Sequence, residues 1–282
     1  MKTDWEAWCA RDLAEEDVVR FGISLGRIAF DASLLDGTVV KTRTCRKATA
    51  ISVLAAIGVR RDGQKVLLSI RSEAEQELIR GINSPLNGGE SKAAWRMFLG
   101  DLDARGLRAP EFVIVDGAPG LEAALTELWP KAPVQRCTVH KHRNLLAHAP
   151  KNLHDELTED YRDMIYAETK AGIGKHRRAF LRKWRLKCKA VADSLEEAGD
   201  LLFAFTRLDP SQWKSARTTN AIERLNEEFR RRIKTQTVLP DAETAPMLFW
   251  ALLASGQIVM RKVDGWETLD QPLAAETVDL AA

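Results

Sequence analysis

Cysteine is scarce in this chain of 282 residues: there are four, at positions 9, 45, 137 and 188, and no two of them form a C-x-x-C pair. Such scatter excludes a disulfide-framed mini-fold and points to reduced thiols in a cytosolic setting. Long apolar runs are absent too. Nothing approaches the roughly 18 to 20 residues a membrane-spanning helix needs, so no membrane partner is expected. The opening MKTDWEAWC lacks a basic-then-apolar leader, and export is not expected from it. No internal repeat or low-complexity tract breaks the chain. With 45% hydrophobic and 29% charged residues, it has the makings of one large core or two smaller ones.

A net charge of +2 says little, whereas its distribution is informative. Positive charge gathers in HKHRN (140–144), HRRAFLRKWRLKCK (176–189) and FRRRIK (229–234), and carboxylates gather at 12–17, 155–163 and 193–200. Basic stretches with acidic counterweights suit either a phosphate-bearing partner or solvated helix faces.

The stretch FVIVDGAPG (112–120) sets the fold class. An aromatic and β-branched run bounded by glycine and proline reads as an interior strand, and Asp116 stands at its carboxyl end. In open α/β sheets ligands and catalytic groups collect at that edge, although an aspartate here could equally cap the following helix. Upstream, the blocks LGRIAFDASLLDGTVVKT, ATAISVLAAIGV and QKVLLSI read as three neighbouring antiparallel strands behind a short helix over 3–17. Downstream, SKAAWRMFLGDLDARGL is helical, residues 120–129 form another helix, and PVQRCTVH reads as a further strand. These elements make a mixed-sheet α/β fold. Periodicity is helical from about 142 to 208, which predicts an all-helical insertion between a first core segment (1–141) and its return (209–270), with a loose tail (271–282). In the return, Thr219 or Asn220 caps a helix carrying Ile222, Leu225, Phe229 and Ile233 on one face, and a last apolar helix covers 243–258.

Three acids occupy unusual places: Asp36 in LLDGTVVKTR, Asp116, and Glu223 among the apolar face residues of its helix. Converging at one sheet edge, they could hold Mg²⁺ through oxygen ligands, and a pair of such ions could clamp a phosphodiester during in-line displacement. Each has a plainer reading, as a turn residue for Asp36 or a helix-dipole partner for Glu223.

Taken in order, LDGTVVKTR, VDGAPGLEAAL…WP…VQRCTVHKHRNLL and ARTTNAIERLNEEFRRR resemble the motif blocks of bacterial insertion-sequence transposases of the mutator type, from about Asp17 to Gln271. The resemblance implies an RNase H-like core interrupted by a helical insertion and an Asp-Asp-Glu triad, here Asp36, Asp116 and Glu223. It implies two Mg²⁺ or Mn²⁺ ions on those acids, cleavage and joining of DNA at terminal inverted repeats and a target, and at least a dimer when assembled on DNA in the nucleoid. Asp31 in AFDAS competes with Asp36 for the first position, and the LDGTVVKTR match favours Asp36. The family's C-x-x-H signature falls on Cys137 and His140; two ligands alone do not make a zinc site, so the pair is expected to support the strand beside the acids. Near the motif blocks, Lys41, Arg43, Arg136, His140, Lys141, Arg143, Arg217, Arg224 and Arg230 are candidate DNA contacts, extended by Arg182, Lys183, Arg185 and Lys187 in the insertion. Trp184 among the latter is expected to pack rather than stack on bases. Because the chain begins almost directly before the first core strand, a truncated, non-catalytic form that binds DNA or a full-length partner stands as the alternative expectation.

Overall fold

A computed structural model describes residues 1–24, 53–72, 92–233 and 244–275. Its centre is a five-stranded mixed sheet in the order β3-β2-β1-β4-β5, formed by β1 (Val18–Ser24), β2 (Val53–Arg60), β3 (Lys65–Ser72), β4 (Phe112–Val115) and β5 (Val134–Arg136). β1, β2 and β3 pair antiparallel, and β4 and β5 join parallel on the other side of β1. Period-two alternation splits the apolar residues between the faces. Leu54, Ala56, Leu68, Val113 and Val115 pack under α2 (Lys92–Ala104) and α3 (Pro119–Leu128), with Trp95, Phe98 and Leu121 as main partners. Ala55, Ile57, Leu67 and Ile70 face the other way, toward α9 (Asn220–Ile233), α10 (Thr244–Ala254) and Trp5 of α1 (Lys2–Ala10). Ile222, Leu225 and Phe229 form the buried stripe of α9, and Phe229 stacks on Phe249 with ring centroids 4.2 Å apart.

Between β5 and α9 every regular element is helical. α4 (Thr138–His148), α5 (His154–Ile165), α6 (Lys170–Lys187) and α7 (Lys189–Ala198) lead into 3₁₀ turns and the short α8 (Trp213–Ala216). They share a core with Phe112 of β4, built on Leu157, Met164, Phe180, Trp184, Leu195 and Phe205. Trp184 is fully buried and donates its indole N–H to Asp160 at 2.9 Å, the packing role expected of it. Thr169 starts α6 by accepting from the Gly172 N–H at 3.0 Å, as an N-cap should.

Hydrogen bonds from side chains tie other segments to both outer strands of the sheet. At β5 the buried Gln135 donates to the Leu202 carbonyl at 2.9 Å and accepts from the Phe205 N–H at 2.7 Å, which docks the 3₁₀ run against the strand. At β3 the guanidinium of Arg11 donates to the Leu67 carbonyl at 2.8 Å and that of Arg105 to the Leu68 carbonyl at 3.3 Å. In the β2–β3 turn, Gly63 has φ +83° and lies against Trp266, where a Cβ would come within 2.3 Å of the tryptophan.

Several elements depart from the sequence reading. Among the described residues the first strand is VVRFGIS, which the sequence reading did not mark, and the block LGRIAFDASLLDGTVVKT (25–42) lies outside the described residues. The first helix stops at Ala10, because Asp12 turns the chain by accepting from the Ala14 N–H. PVQRCTVH is a strand only to Arg136; from Thr138 it is helix, since Cys137 leaves the ladder after bonding the Val115 carbonyl. The last helix ends at Ala254 rather than 258. Near the carboxyl end, Ala274 exchanges two 2.8 Å hydrogen bonds with Arg207.

Candidate functional site at the carboxyl edge of the sheet

Asp116 follows β4 directly. Its Oδ1 accepts from the Ala118 N–H at 3.2 Å, Gly117 turns the chain with φ +96°, and Pro119 opens α3. A side chain at Gly117 would strain this turn, so the acid is left half-buried at the strand end by a backbone only glycine adopts readily. The capping reading of Asp116 thus has some substance, as one oxygen serves the turn.

Cys137 draws the remaining pieces together. Its N–H donates to the Val115 carbonyl at 2.6 Å, immediately before Asp116, and its Sγ accepts from the Thr219 N–H at 3.4 Å and the Thr219 hydroxyl at 3.3 Å. Thr138 adds its own N–H to the Arg217 carbonyl at 2.9 Å. Thr219 in turn starts α9, its carbonyl accepting from the N–H groups of Ile222 and Glu223. Strand end, C-x-x-H turn and acid-bearing helix are therefore tied through one buried thiol and one threonine.

Above that knot sits His140. Its Nδ1 is 3.5 Å from the Thr219 hydroxyl and its Nε2 is 3.6 Å from Glu223 Oε1, with Arg143 at 3.7 Å from the same oxygen. Hydrogen bonding to Cys137 raises the His140 pKa first, against the opposing effect of burial; the charges of Cys137, Glu223 and Asp116 raise it further. Burial would push the Cys137 thiol up, yet hydrogen bonds from His140 and Thr219 hold it below its ordinary value. Both acids thus act electrostatically on one imidazole. Glu223 Oε1 is buried and has no hydrogen-bond partner, an arrangement that costs free energy unless a cation or proton satisfies it.

Oxygen donors of this kind suit a hard divalent cation, and the buried Glu223 oxygen that makes no hydrogen bond is the observation that fits one. Among the described residues no three of His, Cys, Asp and Glu gather as a complete ligand set. Asp36, its rival Asp31, and Lys41 and Arg43 lie outside the described residues.

The other basic candidates divide sharply. Arg136 is forked onto Glu122 at 2.6 and 2.8 Å and reaches Glu197 at 2.7 Å. Lys141 is buried and bonded to Glu197 at 3.0 Å. Arg217 is buried, donates to the Ile165 carbonyl at 2.8 Å and lies 4.2 Å from the centre of the Tyr166 ring. In the insertion, Lys183 bridges Glu156 and Asp160, Lys187 meets Glu156, and Arg185 pairs with Glu196. Arg143, Arg182, Arg224 and Arg230 are exposed. Thr219 is the site residue whose second role was not read from the sequence: its cap position was visible, its bond to a cysteine 82 positions away was not.

No helix among the described residues is long and apolar enough to cross a membrane, and Cys9, Cys137 and Cys188 form no disulfide. Residues 12–258 match the family described as Transposase, Mutator family. The transposase for insertion sequence element ISRM5 of Rhizobium meliloti (strain 1021) is 34% identical over 223 residues, 78% of this chain and 52% of that protein. The transposase for IS1081 of Mycobacterium tuberculosis is 32% identical over 248 residues, 86% of this chain and 56% of that one. For IS905 of Lactococcus lactis the figures are 27% over 229 residues, 81% and 54%. The chain spans about half the length of the curated relatives it matches.

Proposed function

Since the chain belongs to the Mutator family of transposases, we propose that it catalyses metal-dependent cleavage and strand transfer of DNA at the ends of an insertion sequence, through an RNase H-like core with Asp36, Asp116 and Glu223 as the acid triad. The observation that carries the reading is the buried Glu223 Oε1, which makes no hydrogen bond and is flanked by His140 and Arg143, at the strand edge that bears Asp116. One or two Mg²⁺ or Mn²⁺ ions held by these carboxylates would supply charge neutralisation for the attacking and leaving oxygens.

The chain's own residues position and compensate. The Asp116 turn fixes one carboxylate against the sheet, and the Thr219–Cys137 tie fixes the helix that carries the other. Such rigidity matters because in-line phosphoryl chemistry depends on orientation more than on any protein nucleophile. His140, protonated to higher pH than an ordinary histidine, and the exposed Arg143 place positive charge beside Glu223, where a scissile phosphate would lie. Arg224 and Arg230 continue along the same helix as sequence-tolerant phosphate contacts. Two element ends must meet for transfer, so the working form is at least a dimer on DNA.

The test is cleavage and strand transfer on labelled DNA bearing the parent element's ends, with Mg²⁺ or Mn²⁺, comparing the chain with Asp116→Asn. That exchange keeps shape and removes the charge. Activity should be metal-dependent and fall by roughly three orders of magnitude in the variant, the scale of losing several kcal/mol of transition-state charge stabilisation. Equal activity in both proteins would overturn the triad. Salt-sensitive DNA binding with no cleavage in either would favour the non-catalytic, DNA- or partner-binding reading.

A further inference from the structure

Next to the acid edge, on the sheet face beneath α9, lies a second feature that the acid chemistry does not use. A cavity of about 360 Å³ is bounded by the sheet, the start of α9 and the segment around 261–264. Among the described residues its wall brings together six cationic side chains, Arg20, Lys65, Lys214, Arg224, Arg261 and Lys262, against a single carboxylate, Asp264. Asp264 is already engaged by Lys214 at 3.1 Å. Arg20 has its charge offset by Glu111 at 3.5 Å, and Lys262 sits 3.9 Å from the centre of the Trp266 ring. Lys65 reaches only backbone carbonyls, those of Arg261 at 2.6 Å and Lys262 at 3.4 Å. Arg224 and Arg261 have no side-chain ion pair or hydrogen bond among the described residues, and both are exposed. Like charges gathered without counterions repel, and a folded chain holds them there most cheaply when an anion completes the set. Burial depresses the Lys65 pKa first; Asp264 opposes that effect and the nearby Arg224 adds to it. Asn220 and Ala221, the first residues of α9, also line the wall, and a helix start leaves such N–H groups without intrahelical acceptors.

The floor is different in kind. Ile57, Ile114, Ile222 and Leu269 make it apolar. A volume in the lower part of the roughly 300–1,000 Å³ range of ligand sites is more than a lone phosphate fills. The floor also leads to the acids: Asp116 is two residues beyond Ile114 on a period-two strand, and Glu223 adjoins Ile222. We infer that this cavity holds one unpaired nucleotide of a DNA strand, its phosphate on the Arg224–Arg261 rim and its sugar and base on the isoleucine floor, so that the neighbouring phosphodiester reaches the acid edge. The inference rests on the DNA reading above for the identity of the strand, and binding can be measured without any cleavage.

The experiment is methyl NMR on the full chain labelled at isoleucine δ1 carbons, titrated with dAMP, inorganic phosphate and deoxyadenosine in turn. Ile57, Ile114 and Ile222 should shift with dAMP, and dAMP should bind more tightly than phosphate or deoxyadenosine. In Arg224→Gln/Arg261→Gln the affinity for dAMP should drop at least about tenfold, the scale of losing charge-assisted hydrogen bonds. The other isoleucine methyls report that the variant is folded, and Arg224→Lys/Arg261→Lys should restore part of the binding. Absence of shifts at the three methyls, indifference to the double variant, or phosphate binding as tightly as dAMP would each overturn the inference. A second arm compares a duplex with one unpaired terminal nucleotide with a blunt duplex. Shifts at the same methyls only with the unpaired end support the strand assignment; shifts with free dAMP and neither duplex overturn it in favour of a free-nucleotide site. A chain that transfers strands yet fails these titrations refutes this inference alone, and one that passes them without Asp116-dependent cleavage refutes the catalytic reading alone.

Discussion

Two stretches of this protein are about equally rich in positive charge, and they differ in what that charge meets. In the helical region, Lys183, Lys187 and Arg185 are each matched to Glu156, Asp160 or Glu196, carboxylates that fold onto them from other helices. Around the start of α9, Arg224 and Arg261 stand exposed with no such match among the described residues. The lesson is that a count of lysines and arginines cannot tell a structural cation from a waiting one. Arg136 and Lys141 show this at close range, since both flank the C-x-x-H turn and both are committed to Glu197.

The contrast can be broken or sharpened by measurement. The largest stability effect is expected at neither set of charges but at the polar dock beside them. Gln135→Leu leaves the Phe205 N–H and Leu202 carbonyl unsatisfied, and should lower unfolding stability by about 2–4 kcal/mol in urea titration, the sum of two buried polar groups losing their partner. Next, Arg224→Gln/Arg261→Gln should reduce the slope of log affinity for duplex DNA against log salt by about 1.8, two contacts at roughly 0.9 each. Lys183→Gln/Lys187→Gln should leave that slope unchanged and cost less than about 1 kcal/mol of stability, as surface ion pairs do. Equal slopes in the two variants would erase the distinction drawn between the regions.

Smaller effects test the knot at the acid edge. Cys137→Ser weakens the contact that most raises the His140 pKa, so the His140 titration followed by NMR should move to lower pH. An unmoved titration would assign the shift to the carboxylates instead. At the low end, His142 is stacked on Tyr161 and its pKa is depressed, by burial first and then by Arg162. Below the ordinary histidine range the unfolded chain binds a proton that the folded chain resists. Its contribution to stability is therefore full above about pH 6.5 and lost as pH falls below that value. Denaturation midpoints of the chain and of His142→Asn should diverge in slope only over that acid interval.

Much of the architecture was legible in the sequence because its signals are local. FVIVDGAPG announces a buried strand, a turn needing glycine and a helix opened by proline, and all three are found there. The face of α9 was legible from the three- and four-residue spacing of Ile222, Leu225 and Phe229. VVRFGIS was missed as the first strand because its pattern is interrupted by Arg20, which is buried at 5% exposure and held by Gln212, 192 positions away. For the same reason the commitments of Arg136 and Lys141 could not be read: their partner Glu197 lies 61 and 56 residues downstream. Sequence proximity brings a cation near a motif, whereas tertiary contact decides what it is free to do.

The guanidinium groups at the β3 edge carry a consequence for assembly. Sheets with bare outer strands invite a strand from a neighbouring copy, and that route leads to swapped or fibrous aggregates. Here the 3₁₀ run pinned by Gln135 lies along β5, and the guanidinium groups of Arg11 and Arg105 occupy the Leu67 and Leu68 carbonyls of β3. An incoming strand at those carbonyls has to evict a charged side chain before it gains a single ladder bond. Copies of the chain are thereby discouraged from merging their sheets at that edge.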